Sequence, residues 1–97
     1  MSRLLAALLL ATPAMAQDIP ACGSRTAITS MLAEDFGEVR RGSGLTYEDD
    51  APVAAVEVYA NPETGTWTML TALPTGEACI TAFGRNWSDA GPKGRPA

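Results

Sequence analysis

The chain has no histidine among its 97 residues. Histidine is the usual general base near neutral pH and a frequent zinc ligand. Its absence excludes Ser-His and Cys-His nucleophilic catalysis and removes the commonest kind of zinc site. We therefore expect a protein that is not an enzyme and that holds no metal or other cofactor.

Basic residues are few. Seven Lys and Arg stand against eleven Asp and Glu, which gives a net charge of −4, and Lys93 is the single lysine. A protein that binds nucleic acid or an anionic membrane needs clustered basic side chains. The charge balance therefore predicts no nucleic-acid partner and no attachment to an anionic membrane surface.

The apolar run near the N-terminus is short. The sequence MSRLLAALLLATPAMAQD contains Arg3, apolar residues 4–11 and the tripeptide Ala14-Met15-Ala16. A helix that crosses a bilayer needs about 20 apolar residues, so this run predicts no stable membrane anchor. The layout is typical of a secretory signal peptide with an A-x-A cleavage site. We predict that residues 1–16 are removed and that the mature chain begins at Gln17, in the periplasm or outside a bacterial cell.

Cysteine occurs only twice, as Cys22 and Cys79. In an oxidising compartment an isolated pair in a small domain predicts one disulfide. The bond would close most of the domain into a loop, which the chain-entropy model values at about 4 kcal/mol of stability. A thiol redox site is disfavoured because the sequence contains no C-x-x-C.

Lipidation is the alternative for the first cysteine. Residues 19–22, Ile-Pro-Ala-Cys, loosely resemble the box that precedes a lipidated cysteine. Proline stands there where a small residue is usual, and lipidation would leave Cys79 without a partner. The disulfide is the preferred interpretation.

One helix is predicted over residues 25–36. Ile28, Met31, Leu32 and Phe36 are spaced three and four apart, as on one helical face. Residue 24 is serine, a favoured N-cap, and residue 37 is glycine, which is frequent just after a helix.

The rest of the chain alternates between strand-like and turn-like segments. A weak strand at 39–47 and stronger strands at 53–60, 66–73 and 78–83 are separated by turn residues. This order predicts an α+β fold, in which one N-terminal helix packs on a three- to four-stranded antiparallel β-meander with a single disulfide. A single domain over residues 17–87 and a flexible tail at 88–97 complete the prediction.

The only dense acidic cluster is Glu48-Asp49-Asp50. Such a cluster can hold Ca²⁺ when its oxygens are spaced as in D-x-D-x-D-G. That spacing is missing here, so we interpret the cluster as a solvated turn.

The strand registers leave two arrangements open. A five-residue loop at 61–65 would put Tyr59 opposite Trp67 and Val56 opposite Leu70. A three-residue loop at 74–76 would put Leu70 opposite Ile80 and Trp67 opposite Phe83. These pairings would form an aromatic row of Tyr59, Trp67 and Phe83 on the sheet face away from the helix, beside Glu57.

The alternative register flips the last strand. A four-residue second loop would turn Cys79 and Phe83 toward the helix, which suits the disulfide and dissolves the aromatic row. Trp87, beyond the last strand, either covers one end of the core or stands exposed for a partner.

Glu57 is the best candidate for a carboxylate of raised pKa, because it lies in mid-strand beside aromatic residues. No second carboxylate can be placed opposite it. A glutamate that is solvated or paired with an arginine requires no catalytic role, and we favour that interpretation for Glu57.

Several segments together resemble small exported proteins of alphaproteobacterial type that carry no assigned function. They are LAEDFGE at 32–38, VEVY, GTWTML, PTGEAC and AFGRNW, and the resemblance spans residues 22–87. It implies secretion, a disulfide and a helix-plus-sheet fold, and it transfers no catalytic residue. The acidic EDDAP turn departs from the shorter, neutral turn that such sequences tend to have.

Two functions follow as hypotheses. The first is a secreted or periplasmic, non-enzymatic protein-binding or accessory module whose partner is a periplasmic or envelope protein. Its candidate contact surface is Tyr59, Trp67, Phe83, Glu57 and Trp87. The second is a small histidine-independent hydrolase or metal-dependent enzyme that uses Glu57 and the acidic turn. We expect the first, because preorganised small domains lose little entropy on binding. The oligomeric state is not predicted.

Overall fold

The computed structural model describes residues 21–89, which form one helix and one five-stranded antiparallel sheet. The elements are β1 (Cys22–Ser24), α1 (Arg25–Phe36), β2 (Val39–Glu48), β3 (Ala51–Ala60), β4 (Trp67–Ala72) and β5 (Glu77–Gly84). Their order in the sheet is β1-β5-β4-β3-β2. The α+β class is confirmed. The expected strand number of three to four is wrong, and the helix is the second element rather than the first.

The predicted signal peptide at 1–16 lies outside the described residues, as do residues 90–97 of the predicted tail. No helix among residues 21–89 is long and apolar enough to cross a membrane.

The additional strand is β1, which pairs antiparallel with β5. Cys22 lies directly opposite Cys79, and the two form a disulfide across 57 residues of sequence. The predicted disulfide is therefore confirmed, and it joins neighbouring strands. Three residues are too few to show a period of two, so the sequence pattern alone did not indicate this strand. Because α1 follows directly, the bond also fixes the start of the helix against the sheet.

Local capping sets both ends of α1. The Ser24 hydroxyl accepts a hydrogen bond from the Ala27 backbone N–H at 3.2 Å, as an N-cap does. Gly37 adopts the left-handed conformation at φ 65°, and its N–H donates to the Ala33 carbonyl at 3.1 Å. A side chain at Gly37 would be strained in this conformation, so glycine ends the helix at low cost. The predicted helix bounds are confirmed.

The acidic cluster forms the hairpin turn between β2 and β3. Glu48 pairs with Ala51, and Asp49 and Asp50 between them both have positive φ, 50° and 68°. Asp is among the residues that tolerate this conformation in two-residue hairpin turns. The predicted turn is confirmed. Residues 21–89 contain no group of three or more His, Cys, Asp or Glu side chains placed to hold a metal ion.

The connection from β3 to β4 has six residues, one more than expected. The Asn61 backbone N–H donates to the Thr66 carbonyl at 2.9 Å, and the Gly65 N–H donates to the Asn61 carbonyl at 2.7 Å. The Asn61 side chain accepts from the N–H groups of Glu63 and Thr64. These bonds keep Thr66 in the loop, so pairing begins at Trp67 opposite Ala60.

This extra loop residue corrects the expected register. Tyr59 lies opposite Thr68 rather than Trp67, and Glu57 lies opposite Leu70. A shift of one residue moves every side chain of a strand to the other face. Tyr59 and Glu57 consequently lie on the face that α1 covers.

The pairing of β4 with β5 matches neither predicted register along its whole length. Leu70 lies opposite Ile80, as predicted, but Trp67 lies opposite Gly84 instead of Phe83. An irregularity in register between Met69 and Leu70 accounts for the difference. A bulge adds one residue to a strand, so the side chains beyond it point to the opposite face. Cys79, before the irregularity, therefore lies on the face away from the helix, and Phe83, after it, lies on the helix face.

The core lies between α1 and the sheet. Ile28 and Leu32 of the helix are each 2% exposed, and Leu70 is fully buried beneath them. The other buried members of this cluster are Tyr59, Ala72 and Ala78. No helix or second sheet within residues 21–89 packs on the opposite side of the sheet, which we call the open face.

Candidate functional site

Glu57 is the most highly connected polar group among the described residues. It is 5% exposed and lies on the helix face of β3. Arg25, the first residue of α1, donates to its carboxylate through Nε at 2.9 Å and Nη2 at 2.8 Å. The Tyr59 hydroxyl donates to Oε1 at 3.1 Å, and Arg40 Nη1 approaches Oε2 at 3.4 Å. Both carboxylate oxygens are therefore satisfied.

The electrostatics of this cluster oppose the predicted raised pKa. Burial by itself raises the pKa of the Glu57 carboxyl, but the hydrogen bonds from Arg25 and Tyr59 and the charges of Arg25 and Arg40 bring it below its ordinary value. Burial and the neighbouring carboxylate raise the pKa of the Tyr59 hydroxyl. The hydrogen bond to Glu57 raises the pKa of the Arg25 guanidinium. A carboxylate of lowered pKa is a weak base near neutral pH. The arrangement is that of an ion pair joining helix to sheet.

The aromatic row does not form as predicted. Tyr59 is buried under α1, Phe83 is on the same face but 71% exposed, and Trp67 is on the open face. The two tryptophans lie near each other instead, with ring centroids 6.5 Å apart at an interplanar angle of 47°. Trp67 also lies against Gly84, where an added Cβ would come within 3.2 Å of the indole.

The segment after β5 folds back along the open face. The Trp87 backbone N–H donates to the Gly65 carbonyl at 3.0 Å, and its indole Nε1–H donates to Asp89 Oδ1 at 2.7 Å. Asp89 is bound in turn by Arg41, through Nη2 at 2.7 Å and Nε at 3.2 Å. The indole N–H and the guanidinium lower the pKa of the Asp89 carboxyl. Trp87 therefore lies at one end of the open face and is linked to β2 through Asp89, which accepts its indole N–H and forms an ion pair with Arg41.

Beside Trp87 the open face has a depression of about 650 Å³. Val56 and Val58 of β3 contribute to its lining, and their partners on β2 are Gly44 and Gly42. A Cβ built on either glycine would meet no atom within 4 Å. We call this depression the glycine trough and define it by Gly42, Gly44, Val56, Val58 and Trp87.

The trough exists because two residues of β2, Gly42 and Gly44, are glycines and have no side chain. In a sheet, the residue opposite a valine normally covers part of it with its own side chain. Glycine leaves both valines half-buried and accessible from the solvent side. The sequence signal was present as R-R-G-S-G at 40–44, where two glycines fall two residues apart and so share a face. It gave no indication of a site, because the opposing strand could be assigned only once the register was known.

The glycine trough contains only one of the predicted surface residues, Trp87. Trp67 lies next to it through its contact with Trp87, whereas Glu57, Tyr59 and Phe83 lie on the other face. The chain matches no protein-family model, no curated protein and no solved structure, so its resemblance to small exported proteins stays a prediction.

Proposed function

We propose that this chain is a non-enzymatic binding module of the bacterial periplasm or extracellular space, and that it holds another protein through the glycine trough. The observation that carries the proposal is the trough itself, an apolar floor of Val56 and Val58 that Gly42 and Gly44 leave uncovered within residues 21–89. The disulfide supports an oxidising compartment for the folded protein.

The expected occupant is an apolar side chain of the partner. Interfaces obtain most of their binding energy from a few aromatic or aliphatic anchors that fill desolvated pockets. The trough offers apolar valines and the indole of Trp87, with the paired charges of Arg41 and Asp89 at its border. Because Arg41 and Asp89 already neutralise each other, an apolar side chain that binds beside them does not desolvate an unpaired charge.

Contact through the face is favoured over addition of a strand at the edge. β2 is the edge strand beside the trough, and all ten of its residues are exposed. However, its pairing with β3 shifts between Arg40 and Gly42 and again between Thr46 and Tyr47. Proteins use such irregularities to prevent unwanted pairing at an edge strand. The regular stretch between them is only about five residues long.

The floor of the trough is held in place before the partner arrives. It belongs to β3, an interior strand that pairs with β4 on one side and with β2 on the other. A rigid surface loses little conformational entropy on association, which favours affinity.

The enzyme alternative has no observation in its favour among the described residues. Glu57 is occupied by two arginines and a tyrosine. Asp50 lies in the turn before β3, seven residues from Glu57, which is about 23 Å of extended chain at 3.3 Å per residue. The two groups do not converge on one site.

The test compares two substitutions on adjacent residues of β2. Gly44→Val fills the trough, while Ser43→Val places the same side chain on the opposite face, across from Glu57. The mature protein and both variants would be used as bait in periplasmic extract, and the captured proteins quantified by mass spectrometry. We expect a partner that is retained by the mature protein and by Ser43→Val and is lost with Gly44→Val. Equal capture by all three proteins would refute a role for the trough.

A further inference from the structure

A second cavity lies on the helix side of the sheet, away from the glycine trough. It has a volume of about 190 Å³ and opens between the C-terminal half of α1 and strands β4 and β5. Its lining is mostly apolar and includes Leu32, Phe36, Ile80 and Phe83. Glu38 is the acidic member of the lining, and we call this cavity the Glu38 cleft.

Glu38 is buried, and one of its two carboxylate oxygens has no hydrogen-bond partner among residues 21–89. The residue is 3% exposed, and its Oε1 is shielded from solvent and accepts no hydrogen bond from residues 21–89. The three ion pairs within this part of the chain involve Glu57 and Asp89 instead. Burying a charged group is unfavourable unless it is paired and hydrogen-bonded.

The contrast with Glu57 makes this position unusual. Both glutamates are at most 5% exposed, yet Glu57 receives two arginines and a tyrosine. A buried carboxylate oxygen without a partner gains from pairing with a cation that enters the cleft from outside. A buried polar group left unsatisfied in the free protein also discriminates strongly between ligands that can and cannot pair with it.

The walls of the cleft specify the rest of the ligand. Phe36 and Phe83 are 37% and 71% exposed, so both present aromatic surface at the cleft. Aromatic faces attract ammonium cations, and aliphatic walls favour an apolar substituent. The volume equals that of about six water molecules at roughly 30 Å³ each. A divalent metal ion fits poorly, because residues 21–89 offer no group of three acidic, His or Cys ligands.

From these observations we propose that the Glu38 cleft binds a primary ammonium group that carries a short alkyl or aryl substituent. A free amine and the side chain of a lysine both have this chemistry. The ammonium pairs with the Glu38 carboxylate while its substituent lies against Leu32, Ile80 and Phe83. Because Oε1 is shielded from solvent, binding includes a rotation of the carboxylate toward the cleft.

The first experiment measures binding of benzylammonium by calorimetry. Glu38→Gln keeps the size of the side chain and removes its charge, and exposed Glu34→Gln is the matched control. We expect Glu38→Gln to weaken benzylammonium binding at least tenfold and Glu34→Gln to leave it unchanged. Benzyl alcohol, which has no charge, should bind weakly and equally to the natural protein and to Glu38→Gln. Equal benzylammonium affinity in the natural protein and Glu38→Gln would overturn the proposal.

A second measurement keeps the proposal testable if Glu38→Gln does not fold. Phe83→Ala removes an exposed aromatic wall, so it should fold and weaken benzylammonium binding about threefold, the size of a modest cation–π contribution. NMR shifts of the Leu32 and Ile80 methyl groups should change on titration. Shift changes confined to other methyl groups, or no effect of Phe83→Ala, would place the amine elsewhere and contradict the proposal.

Further measurements distinguish a free amine from a lysine side chain as the source of the ammonium group. Tighter binding of Nα-acetyl-lysine amide than of benzylammonium would support a lysine side chain as the ligand, and the reverse order would support a free amine. Lys93→Ala tests the single lysine of this chain. If that substitution tightened benzylammonium binding tenfold, Lys93 would be the occupant and an external ligand would be excluded. Gly44→Val should leave amine binding unchanged, so failure of the trough and failure of the cleft are distinguishable.

Discussion

Replacing each of the two buried glutamates by leucine should change the free energy of unfolding in opposite directions. Glu57 and Glu38 are the same residue type, and both are at most 5% exposed. They differ in their partners, since Glu57 receives four hydrogen bonds and Glu38 Oε1 receives none from the described residues. The pair therefore isolates the effect of partners from the effect of burial.

For Glu57→Leu the expected change is a loss of about 2 kcal/mol. Removing one partner of a buried ion pair costs up to roughly 3–5 kcal/mol when the other charge stays buried. Here the side chains of Arg25 and Arg40 are 35% and 53% exposed, so both guanidinium groups can regain water. That recovery reduces the cost, because exposed pairs contribute about 1 kcal/mol or less. The remaining cost comes mainly from two losses: the buried Tyr59 hydroxyl loses its acceptor, and α1 loses its ion pair with β3.

For Glu38→Leu the expected change is a gain of about 1–2 kcal/mol. An unsatisfied buried polar group costs about 1–3 kcal/mol, and leucine of similar size removes that cost while adding apolar contact. In a domain of this size, 1 kcal/mol corresponds to about 4–8 °C in Tm. The gain in stability should be accompanied by loss of benzylammonium binding.

The assay is urea denaturation of the mature protein and both variants with the disulfide intact, followed by circular dichroism. The two variants should fall on opposite sides of the natural protein at unchanged m value. A loss of stability in both would show that Glu38 is satisfied in the folded protein. A gain in both would show that the arginine pairs of Glu57 add nothing.

Three further predictions concern the rest of the domain. Reduction of the bond between Cys22 and Cys79 should lower Tm by at least about 15 °C, because a loop of this length is valued at about 4 kcal/mol; an unchanged melt would contradict it. Stability should fall as the pH drops below the ordinary carboxyl pKa of 4.5, since Glu57 has a lower pKa in the folded state, and its contribution is present above 4.5 and lost as pH falls through the folded value. The pH-dependent loss should be smaller in Glu57→Gln, and an equal loss would exclude Glu57 as its source. Phe83→Ala should change stability by less than about 1 kcal/mol, because the ring is 71% exposed and substitutions outside the core are usually mild.

Local signals were sufficient for the helix and the turns. Ser24 and Gly37 indicated both ends of α1, and both act as caps in the structure. The acidic cluster indicated the β2–β3 turn, because few residues other than Gly, Asn and Asp tolerate positive φ. The disulfide followed from cysteine count and compartment alone. The helix caps and the turn depend on residues that are adjacent in sequence, so they can be predicted from a single sequence.

Strand register was beyond what the sequence determined. The connection before β4 has six residues instead of five because Asn61 bonds to several backbone groups within it. The composition of this segment predicted a turn but did not determine how many residues the loop contains. One residue decided whether Glu57 and Tyr59 lie under α1 or on the open face, and the irregularity opposite Met69 then separated Phe83 from Cys79.

The candidate sites were missed because each one brings together residues that are distant in sequence. The glycine trough requires Gly42 and Gly44 to lie opposite Val58 and Val56, which is a statement about register. Glu38 follows the helix-ending glycine and reads as an ordinary polar loop residue. In the folded protein it lines a cleft together with residues of β4 and β5 that are distant in sequence.

The most direct test of the trough is the affinity of the captured partner for Gly44→Val compared with Ser43→Val. Both substitutions put a β-branched residue into the same exposed strand, and neither glycine nor serine is left-handed there, so both variants should fold at least as stably as the natural protein. The proposed function predicts that Gly44→Val weakens binding at least tenfold and that Ser43→Val leaves it within about twofold, at unchanged Tm. Equal affinity for the two variants would show that the partner does not use the trough and would contradict the account.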